Sequence, residues 1–420
     1  MNRSNRIIPI ILFLITVTFL MDWYSYQGIK IASAGINNTV LLSLLRFSYW
    51  FLFFGFTFLL SVRIYFAGIS PGKPGITESL FSIFITLFIS NFVFTAILFT
   101  EDIFRILVYL WNGITTHSGD RSGSLMPPRQ EWVSKGGIMI AGFCLLSFLY
   151  GITKGKHRYK LHKHTLYFND LPPAFDGFTI AQISDIHSGS FKNSREVQKG
   201  IDMVKAQQPD LFVFTGDLVN NIASEIEPYI KQFNQIKAPY GQFSILGNHD
   251  YGDYTQWPSQ LHKEQNLEQL KQHHRSMEYR LLLDEHVTIQ KGDEKITLLG
   301  VNNWGKGFGE RGDLNKALQN TTENGFKILL SHDPSHWDEV IKKHPSLIHL
   351  TLSGHTHGMQ VGIELPFFKW SPVKWRYANW SGLAIENGRN LYVNRGFGFI
   401  GFLGRVGIWP EVTLIELKKK

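Results

Sequence analysis

Hydrophobic residues in the first part of the chain form four long runs. A helix needs roughly 20 mostly apolar residues to cross the hydrocarbon core of a membrane. The predicted spans are residues 7–24, 41–62, 79–100 and 136–153, and the third contains no charged residue. We therefore predict a transmembrane region over residues 1–153. Four buried helices of a soluble domain are the alternative interpretation, and a cleaved signal peptide ending near residues 32–34 is another interpretation of the first run.

Basic residues next to these runs indicate their orientation. Arg3 and Arg6 precede the first span, Arg63 and Lys73 follow the second, and a dense basic stretch at residues 154–164 follows the fourth. Cytoplasmic loops are enriched in Lys and Arg, and an arrangement with the N-terminus inside places all three groups on that side. We expect a multi-pass integral protein of a bacterial inner membrane. In this prediction residues 154–164 are a basic juxtamembrane linker, and the domain that follows is cytoplasmic.

Short apolar runs replace the long ones beyond the basic stretch. They are rich in β-branched and aromatic residues, as is typical of strands. They lie at residues 178–184, 211–215, 243–246, 327–331 and 349–352. Helical patterns separate them, since Val197, Ile201 and Val204 share one helix face after Ser194, a suitable N-cap. Strands that alternate with helices predict a layered α/β domain over residues 165–420.

Each of the five short runs is followed at once by polar side chains that can bind a metal ion. These side chains belong to Asp185, His187, Asp217, Asn248, His249, Asp250, His332, His355 and His357. Side chains just beyond the ends of parallel strands meet at one edge of a sheet. Imidazole, carboxylate and amide ligands without thiolate suit Mn, Fe or Zn, and a carboxylate shared by two ions is typical of two-metal hydrolytic sites. The only cysteine, Cys144, lies in an apolar run, which excludes a cysteine metal cluster.

The net charge of +8 narrows the range of partners. An excess of Lys and Arg indicates either nucleic acid or an anionic membrane surface. The sequence has no basic block interleaved with aromatic residues and no motif of the familiar nucleic-acid-binding folds. We therefore expect a lipid bilayer as the partner and no nucleic acid.

The ordered series D-I-H, G-D, G-N-H-D, S-H and G-H-T-H resembles that of the calcineurin-like metallophosphoesterases. Within that family the chain is most similar to the membrane-associated bacterial branch, which includes UDP-diacylglucosamine pyrophosphatase-like phosphodiesterases. The resemblance extends from about residue 160 to residue 418 and includes LPPAFDGFTIAQISDIH and the closing PEVTLIEL. It implies a β-sandwich flanked by helices and a centre of two divalent metal ions.

The resemblance also implies a role for individual residues. The implied ligands are Asp185, His187 and His357 for the first metal, Asn248, His332 and His355 for the second, and Asp217 as the bridge between them. His249 corresponds to the family's general acid or phosphate contact, and Asp250 is expected to orient the imidazole of His249. Met359 stands where relatives commonly have glycine, which leaves the substrate contacts of that loop open.

Two aromatic segments after the last motif, residues 365–375 and 394–410, bear on the substrate. One interpretation is that they are core strands, because glycine-rich aromatic runs often pack internally. The other is an exposed apolar lip at the membrane interface, with Arg395 or Arg405 binding phosphate. We expect a membrane-anchored enzyme that hydrolyses a phosphodiester or pyrophosphate of a lipid-linked substrate by attack of a metal-bridging hydroxide.

Two other functions are compatible with the sequence. In one, the spans only localise a phosphatase that acts on soluble nucleotides or phosphoproteins. In the other, the transmembrane region is a sensor or transporter that the phosphoesterase domain regulates. The spans contain few polar residues, mainly Arg46 and Asn91, and this argues against the second function. The sequence leaves the metal, the substrate and the oligomeric state open.

Overall fold

The computed structural model describes residues 3–67, 75–115 and 126–420, and these residues form two compact units. The first, called the helical unit, ends at Tyr150, and the second, called the sheet unit, begins at Gly151. Each unit has its own architecture and its own way of burying polar side chains.

Long helices make up the N-terminal part of the chain. They are α1 Arg3–Ala32, α2 Thr39–Trp50, α3 Phe56–Ala67, α4 Ile76–Thr115 and α5 Glu131–Thr153. A π-helical turn at Phe51–Gly55 joins α2 to α3. Among the described residues, the stretches long and apolar enough to cross a membrane are Ile8–Ala32, Thr39–Phe66, Ile76–Thr115 and Glu131–Thr153. Large apolar side chains such as Phe13 and Phe143 are exposed on these helices, which suits contact with lipid.

Helix α4 continues past residue 100, the predicted end of the third span. Asp102 forms an ion pair of 2.5 Å with Arg105 on the same helix and a second ion pair with Arg129. Because these partners compensate its charge, the acidic residue does not end the helix. The apolar run at residues 103–111 then extends the helical pattern.

Sixteen strands and five further helices form the described sheet unit. The strands are β1 Lys160–Phe168, β2 Phe178–Ile183, β3 Leu211–Phe214, β4 Gln242–Ser244, β5 Arg280–Leu281, β6 Glu285–Lys291, β7 Glu294–Gly300, β8 Trp304–Gly305, β9 Gly309–Glu310, β10 Lys327–Leu330, β11 Leu350–Ser353, β12 Ile363–Leu365, β13 Phe368–Trp370, β14 Gly382–Glu386, β15 Arg389–Val393 and β16 Glu411–Lys419. The helices are α6 Ser194–Lys205, α7 Ile230–Phe233, α8 Gln260–Ser276, α9 Leu314–Leu318 and α10 Ser335–Glu339.

Two six-stranded sheets pack against each other in this unit. Their strand orders are β1-β16-β2-β3-β4-β5 and β14-β15-β11-β10-β7-β6. Alternate side chains of a strand point to opposite faces of its sheet. Ile180 and Val213 of the first sheet therefore meet Leu298, Ile328 and Leu350 of the second in one buried cluster between the sheets.

Helices cover the outer face of each sheet. Val197 and Ile201 of α6 pack in a buried cluster with Phe212 of β3. On the other side, Trp337 of α10 packs with Leu329 of β10. The fold is therefore the β-sandwich flanked by helices that the sequence predicts, preceded by four candidate membrane-spanning stretches.

The basic stretch at residues 154–164 is not a linker over its whole length, and that prediction is wrong. Strand β1 begins at Lys160 and pairs in parallel with β16, from Lys160 opposite Glu411 onward. Strand β1 lies at the edge of the first sheet. Edge strands commonly carry charged side chains because their outer side meets water or another surface, which explains the basic composition of a strand.

Parallel strands place the polar loops at one edge of the sandwich. Strands β2, β3 and β4 run parallel in the first sheet, and β7, β10, β11 and β15 run parallel in the second. The loops that follow β2, β3, β4, β10 and β11 carry the predicted metal-binding side chains.

Candidate metal centre

The structure brings together all seven side chains predicted to hold metal. They are Asp185 and His187 after β2, Asp217 after β3, Asn248 after β4, His332 after β10, and His355 and His357 after β11. Two groups within this set, Asp185-His187-His357 and Asp217-His332-His355, each place one potential ligand atom per residue within 4.8 Å of the others. The first group is the implied ligand set of the first metal, and the second joins Asp217, the implied bridge, to His332 and His355.

The first group turns its potential ligand atoms towards a common point. Nε2 of His187 and Nε2 of His357 lie 3.0 Å apart, and Oδ1 of Asp185 lies 3.3 Å from the same His357 nitrogen. All three side chains are buried. Two nitrogens at about 2.1 Å from one ion and at a right angle to each other would be separated by about 3 Å. The first group therefore fits a divalent cation.

The second group contains a nitrogen that has nothing else to bind. Nδ1 of His332 donates to the Thr215 carbonyl at 2.7 Å, which leaves Nε2 as a lone pair. That Nε2 is buried without a hydrogen-bond partner among the described residues and lies 3.2 Å from Oδ2 of Asp217. Nδ1 of His355 and Oδ1 of Asn248 face each other at 2.9 Å. This set also fits a divalent cation.

Asp217 lies between the two groups. Its Oδ2 is 3.5 Å from Nε2 of His187 and 3.2 Å from Nε2 of His332, so one oxygen faces a ligand of each set. Burial raises the pKa of Asp217, but His332 and His249 outweigh it and hold this pKa well below its ordinary value. Burial lowers the pKa of His332, whereas Asp217 and Asp185 raise it to about 10. The electrostatics of the site thus favour positive charge beside Asp217.

The backbone at the site is strained. Left-handed φ angles are uncommon for residues other than glycine and cost free energy, so they persist mainly at functional sites. Five of the seven residues have such angles: Asp185 (52°), His187 (46°), Asp217 (60°), His355 (69°) and His357 (50°). Because such angles cost free energy, the surrounding structure must hold these residues in place.

Glycine permits the close approach of two strand ends. A side chain at Gly354 would collide with Ser184 and with the carboxylate of Asp185. The backbone N–H of the next residue, His355, donates to both carboxylate oxygens of Asp185 at 3.0 and 2.9 Å. The glycine of G-H-T-H therefore allows the loop after β11 to approach Asp185 in the loop after β2.

Three residues that the sequence analysis missed support the ligands. Nε2 of His355 lies 3.0 Å from the Tyr377 hydroxyl and 3.3 Å from Oδ2 of Asp333, so its proton sits there and Nδ1 is free for metal. The amide nitrogen of Asn248 donates to the Tyr254 hydroxyl at 2.9 Å, which turns the amide oxygen towards the site. Asp333 follows His332 directly and could have been suspected, whereas no motif indicates either tyrosine.

His249 and Asp250 do not form the predicted pair, and that prediction is wrong. Nδ1 of His249 lies 2.8 Å from the Asn220 carbonyl oxygen and so donates to it. The carboxylate of Asp250 is buried and accepts backbone N–H groups of Gly247 at 2.9 Å and of Asp217 at 2.9 Å. Asp250 therefore fixes the loops that carry the ligands, and a backbone carbonyl orients the imidazole.

Arg395 and Arg405 do not line the site, and the prediction that they bind phosphate is wrong. Arg395 is 4% exposed, and its guanidinium pairs with Glu411 at 2.6 Å and with Glu364 at 3.0 Å. Arg405 is fully buried and donates to the Gly398 carbonyl at 2.8 Å. Arg405 also lies 3.1 Å from Nδ1 of His357, so it supports a predicted ligand from behind, and neither guanidinium lines the cavity next to the site.

A cavity of about 760 Å³ opens next to the metal-binding side chains. Its walls beyond the ligands include Phe308, Met359, Val373, Trp375 and Arg376. Met359, which departs from the glycine of relatives, has a φ of 52° and is 57% exposed at this cavity. The cavity therefore combines a polar floor with largely apolar walls.

Arg376 is the one arginine or lysine among the described residues that line the cavity. Its guanidinium lies 4.7 Å from the centre of the Phe308 ring and donates to the Lys306 carbonyl at 2.9 Å. The side chain is exposed, so a ligand in the cavity can reach its guanidinium. The sequence analysis did not single out this residue.

Comparison with protein families gives two matches along the chain. Residues 5–156 match the profile described as "Probable Calcineurin-like phosphoesterase, transmembrane domain". Residues 178–359, which contain every motif of the site, match the profile "Calcineurin-like phosphoesterase".

Individual relatives carry related names. The chain is 28% identical over 301 residues to the metallophosphoesterase YkuE of Bacillus subtilis (strain 168), covering 70% of this chain and 98% of that protein. It is 25% identical to the metallophosphoesterase YkoQ of the same organism, covering 67% and 98%. It is 27% identical to a transmembrane protein with metallophosphoesterase domain from Danio rerio, covering 64% of this chain and 60% of that protein. The match thus spans less than two thirds of the Danio rerio protein.

Proposed function

We propose that this chain, which matches the calcineurin-like phosphoesterase profiles and carries four candidate membrane-spanning stretches, is a metal-dependent phosphoesterase that hydrolyses a phosphodiester or pyrophosphate of an amphiphilic, lipid-linked substrate. One observation carries this proposal: the ligand groups open into a cavity with apolar walls. A polar reaction centre beside an apolar wall suits a molecule that has a phosphate at one end and hydrocarbon at the other.

We propose that the two groups of ligands hold two divalent ions, with Asp217 shared between them. The donor chemistry suits Mn, Fe or Zn. Bound ions of this kind lower the pKa of water and neutralise charge on the phosphoryl group. The chain contributes imidazoles whose other ring nitrogens have partners away from the ions. The Thr215 carbonyl accepts from Nδ1 of His332, and the Tyr377 hydroxyl and Asp333 lie next to Nε2 of His355.

His249 is proposed to donate a proton to the leaving oxygen. Its ring lines the cavity, and its Nδ1 proton is bound by the Asn220 carbonyl, so Nε2 is the nitrogen available to substrate. The backbone N–H of His249 donates to Oδ1 of Asp217 at 2.9 Å, which fixes the imidazole next to the shared ligand. A donor in this position supplies general acid catalysis.

Arg376 is proposed to contact phosphate in place of Arg395 and Arg405. A guanidinium binds phosphate oxygens through paired hydrogen bonds. Arg376 stands in the cavity wall, while the two predicted arginines are occupied by internal partners.

The substrate proposal is tested with the full-length chain in detergent and two esters that share a headgroup. One ester has long acyl chains and the other has short chains. A higher kcat/KM for the long-chain ester supports the proposal, because apolar walls bind hydrocarbon. Equal turnover of both would contradict it and would favour the soluble substrates of the alternative function. An Asp217→Asn variant shows the background rate in each assay.

We also propose that the sheet unit lies on the cytoplasmic side of the membrane. The proposal rests on Arg3, Arg6, Arg63 and Lys73 and on the enrichment of basic residues in cytoplasmic loops. In a Cys144→Ser background, a cysteine in place of Gly292 at the turn between β6 and β7 should resist a membrane-impermeant thiol reagent in intact cells. Labelling of intact cells at that position would reverse the assigned sidedness.

A further inference from the structure

The hairpin of β12 and β13 carries its apolar side chains outward. Phe367 at its tip is 98% exposed, and Leu365, Phe368 and Ile363 are 60%, 53% and 47% exposed. A soluble domain normally turns such side chains inward, and contiguous exposed apolar patches mark interaction sites. This hairpin, residues 363–370, is called the apolar hairpin below.

The pairing of β12 with β13 explains why these apolar side chains are exposed. Leu365 is opposite Phe368, and Glu364 is opposite Lys369, so the two types of side chain occupy opposite faces. The charged face attaches to the domain, since Glu364 accepts Arg395 Nε at 3.0 Å. Lys369 donates to the Ser381 carbonyl. The polar face is thus fixed to the domain, whereas Ile363, Leu365 and Phe368 on the apolar face are exposed.

The exposed apolar side chains of the sheet unit are concentrated in and around the apolar hairpin, and some of them line the cavity. Twelve large apolar side chains are exposed in the described sheet unit, and six of them fall within residues 359–375. Two of these six, Met359 and Trp375, line the cavity, and Trp375 is 77% exposed. The entrance to the site and the apolar hairpin therefore share one stretch of chain.

The chain itself supplies a reason for a bilayer as the occupant. Helix α5 ends at Thr153 and β1 begins at Lys160. The residues between them span at most about 20–25 Å when fully extended, so β1 begins within that length of chain from the end of a candidate membrane-spanning helix. Lys374 and Arg376 are exposed beside Trp375, and basic residues next to aromatic ones favour an anionic lipid surface.

We propose that the apolar hairpin inserts into the lipid surface and holds the cavity mouth against it. Phe367 and Leu365 enter the acyl boundary while Lys374 stays at the level of the headgroups. A lipid-linked substrate then reaches the metal ligands without leaving the membrane. In respect of that substrate the inference rests on the proposed function, whereas contact between the hairpin and lipid does not depend on any reaction.

The test uses the full-length chain in lipid nanodiscs. In a Cys144→Ser background, Leu365→Cys is labelled with a nitrobenzoxadiazole fluorophore, and phosphatidylcholine carrying a doxyl group on its acyl chain serves as quencher. The matched control is Leu261→Cys on α8, because both leucines are 60% exposed. Helix α8 covers the first sheet, whereas the apolar hairpin attaches next to β14 of the second.

Insertion predicts that the label at 365 shifts to shorter wavelength and loses most of its emission with doxyl lipid, while the label at 261 does neither. Phe367→Cys should be quenched at least as strongly. Equal emission at 365 and 261 would overturn the proposal, as would energy transfer between labels at 365 on two chains, which would show a second copy as the occupant. Because quenching requires no turnover, this result is independent of whether lipid esters are hydrolysed.

Discussion

Both units bury polar side chains, but they satisfy them in opposite ways. In the helical unit, Thr86 donates to the Ser82 carbonyl at 2.8 Å, one turn earlier on the same helix. In the sheet unit, His187 and His357 are 170 positions apart in the chain and their nitrogens face each other at 3.0 Å. The hydroxyl of Thr86 is satisfied within its own helix, whereas the pair of histidines belongs to a site assembled from distant loops.

The two units also differ in whether a buried hydrogen-bond acceptor faces a donor or another acceptor. In the helical unit the amide nitrogen of Asn91 donates to Oδ1 of Asp22 at 2.6 Å, so a donor meets an acceptor. At the candidate metal centre, Nε2 of His332 faces Oδ2 of Asp217. Because Nδ1 of His332 donates its proton in a hydrogen bond to the Thr215 carbonyl, Nε2 of the neutral ring is an acceptor, as is the carboxylate oxygen. Acceptors that face each other in a buried site need a cation or a proton between them. Polar burial alone therefore does not indicate metal binding, whereas opposed acceptors show where a cation or a proton has to lie.

The largest effect is expected at the shared ligand. Asp217→Asn keeps the shape of the side chain but removes the charge that faces both groups. Changes to outer-sphere residues of metal sites already cost about 10–100-fold, so we expect a loss of more than a hundredfold in hydrolysis of a soluble phosphodiester. The control Asp202→Asn, on the exposed face of α6, should retain full activity. Near-normal turnover by Asp217→Asn would show that catalysis does not require the carboxylate charge of Asp217.

A smaller but specific effect is expected behind the ligands. Asp333→Asn weakens the contact that fixes the proton on Nε2 of His355. We expect an affinity loss of about 10–100-fold for one of the two metal ions, with the other affected less. Titration of the metal-free protein by calorimetry measures the two affinities. A uniform weakening of both would mean that Asp333 acts on the fold as a whole.

A still smaller effect is expected at the cavity wall. Arg376→Gln removes a charged hydrogen bond to substrate, worth about 1.5–3 kcal/mol, so kcat/KM should fall about tenfold or more while metal content stays normal. Lys374→Gln is the matched control, because this neighbour is exposed but does not line the cavity. Equal effects of the two substitutions would argue for general surface charge instead of a phosphate contact.

The smallest effect is expected in the helical unit. Thr86→Val removes a hydroxyl that bonds only within its own helix, and hydrogen bonds in membrane helices contribute about 0.6 kcal/mol on average. We expect a change below about 1 kcal/mol in the free energy of unfolding, measured in detergent, and unchanged hydrolysis. A loss of activity in Thr86→Val would contradict the claim that this buried hydroxyl of the helical unit has no part in hydrolysis.

The sequence predicts the metal-binding side chains better than the residues that line the cavity next to them. A ligand placed directly after a strand, such as Asp217 or His355, has its position determined by the topology of the sheet. Arg395 was misassigned because its partners Glu364 and Glu411 lie on other strands, and no local pattern shows that a distant carboxylate neutralises it. Arg376 escaped notice for the converse reason, since an isolated arginine in a loop has no pattern.

The fold shows the same division. Strand runs and spans could be read from periodicity, because burial imposes a repeat on the sequence. The role of β1 could not, because an edge strand rich in Lys and His has the composition of a juxtamembrane linker. Asp250 is a third case, in which the residue type was right and its partners, backbone amides of two loops, follow only from the tertiary structure.

Metal analysis of the purified full-length chain tests the central claim most directly. The account predicts two equivalents of Mn, Fe or Zn per chain, and a fall to about one in a His332→Ala variant, because that imidazole belongs to one group of ligands only. A His336→Ala variant, which alters a buried histidine bonded to Ser331 outside the site, should retain both. A wild-type chain without bound metal, or a His332→Ala variant with full metal content, would contradict the account.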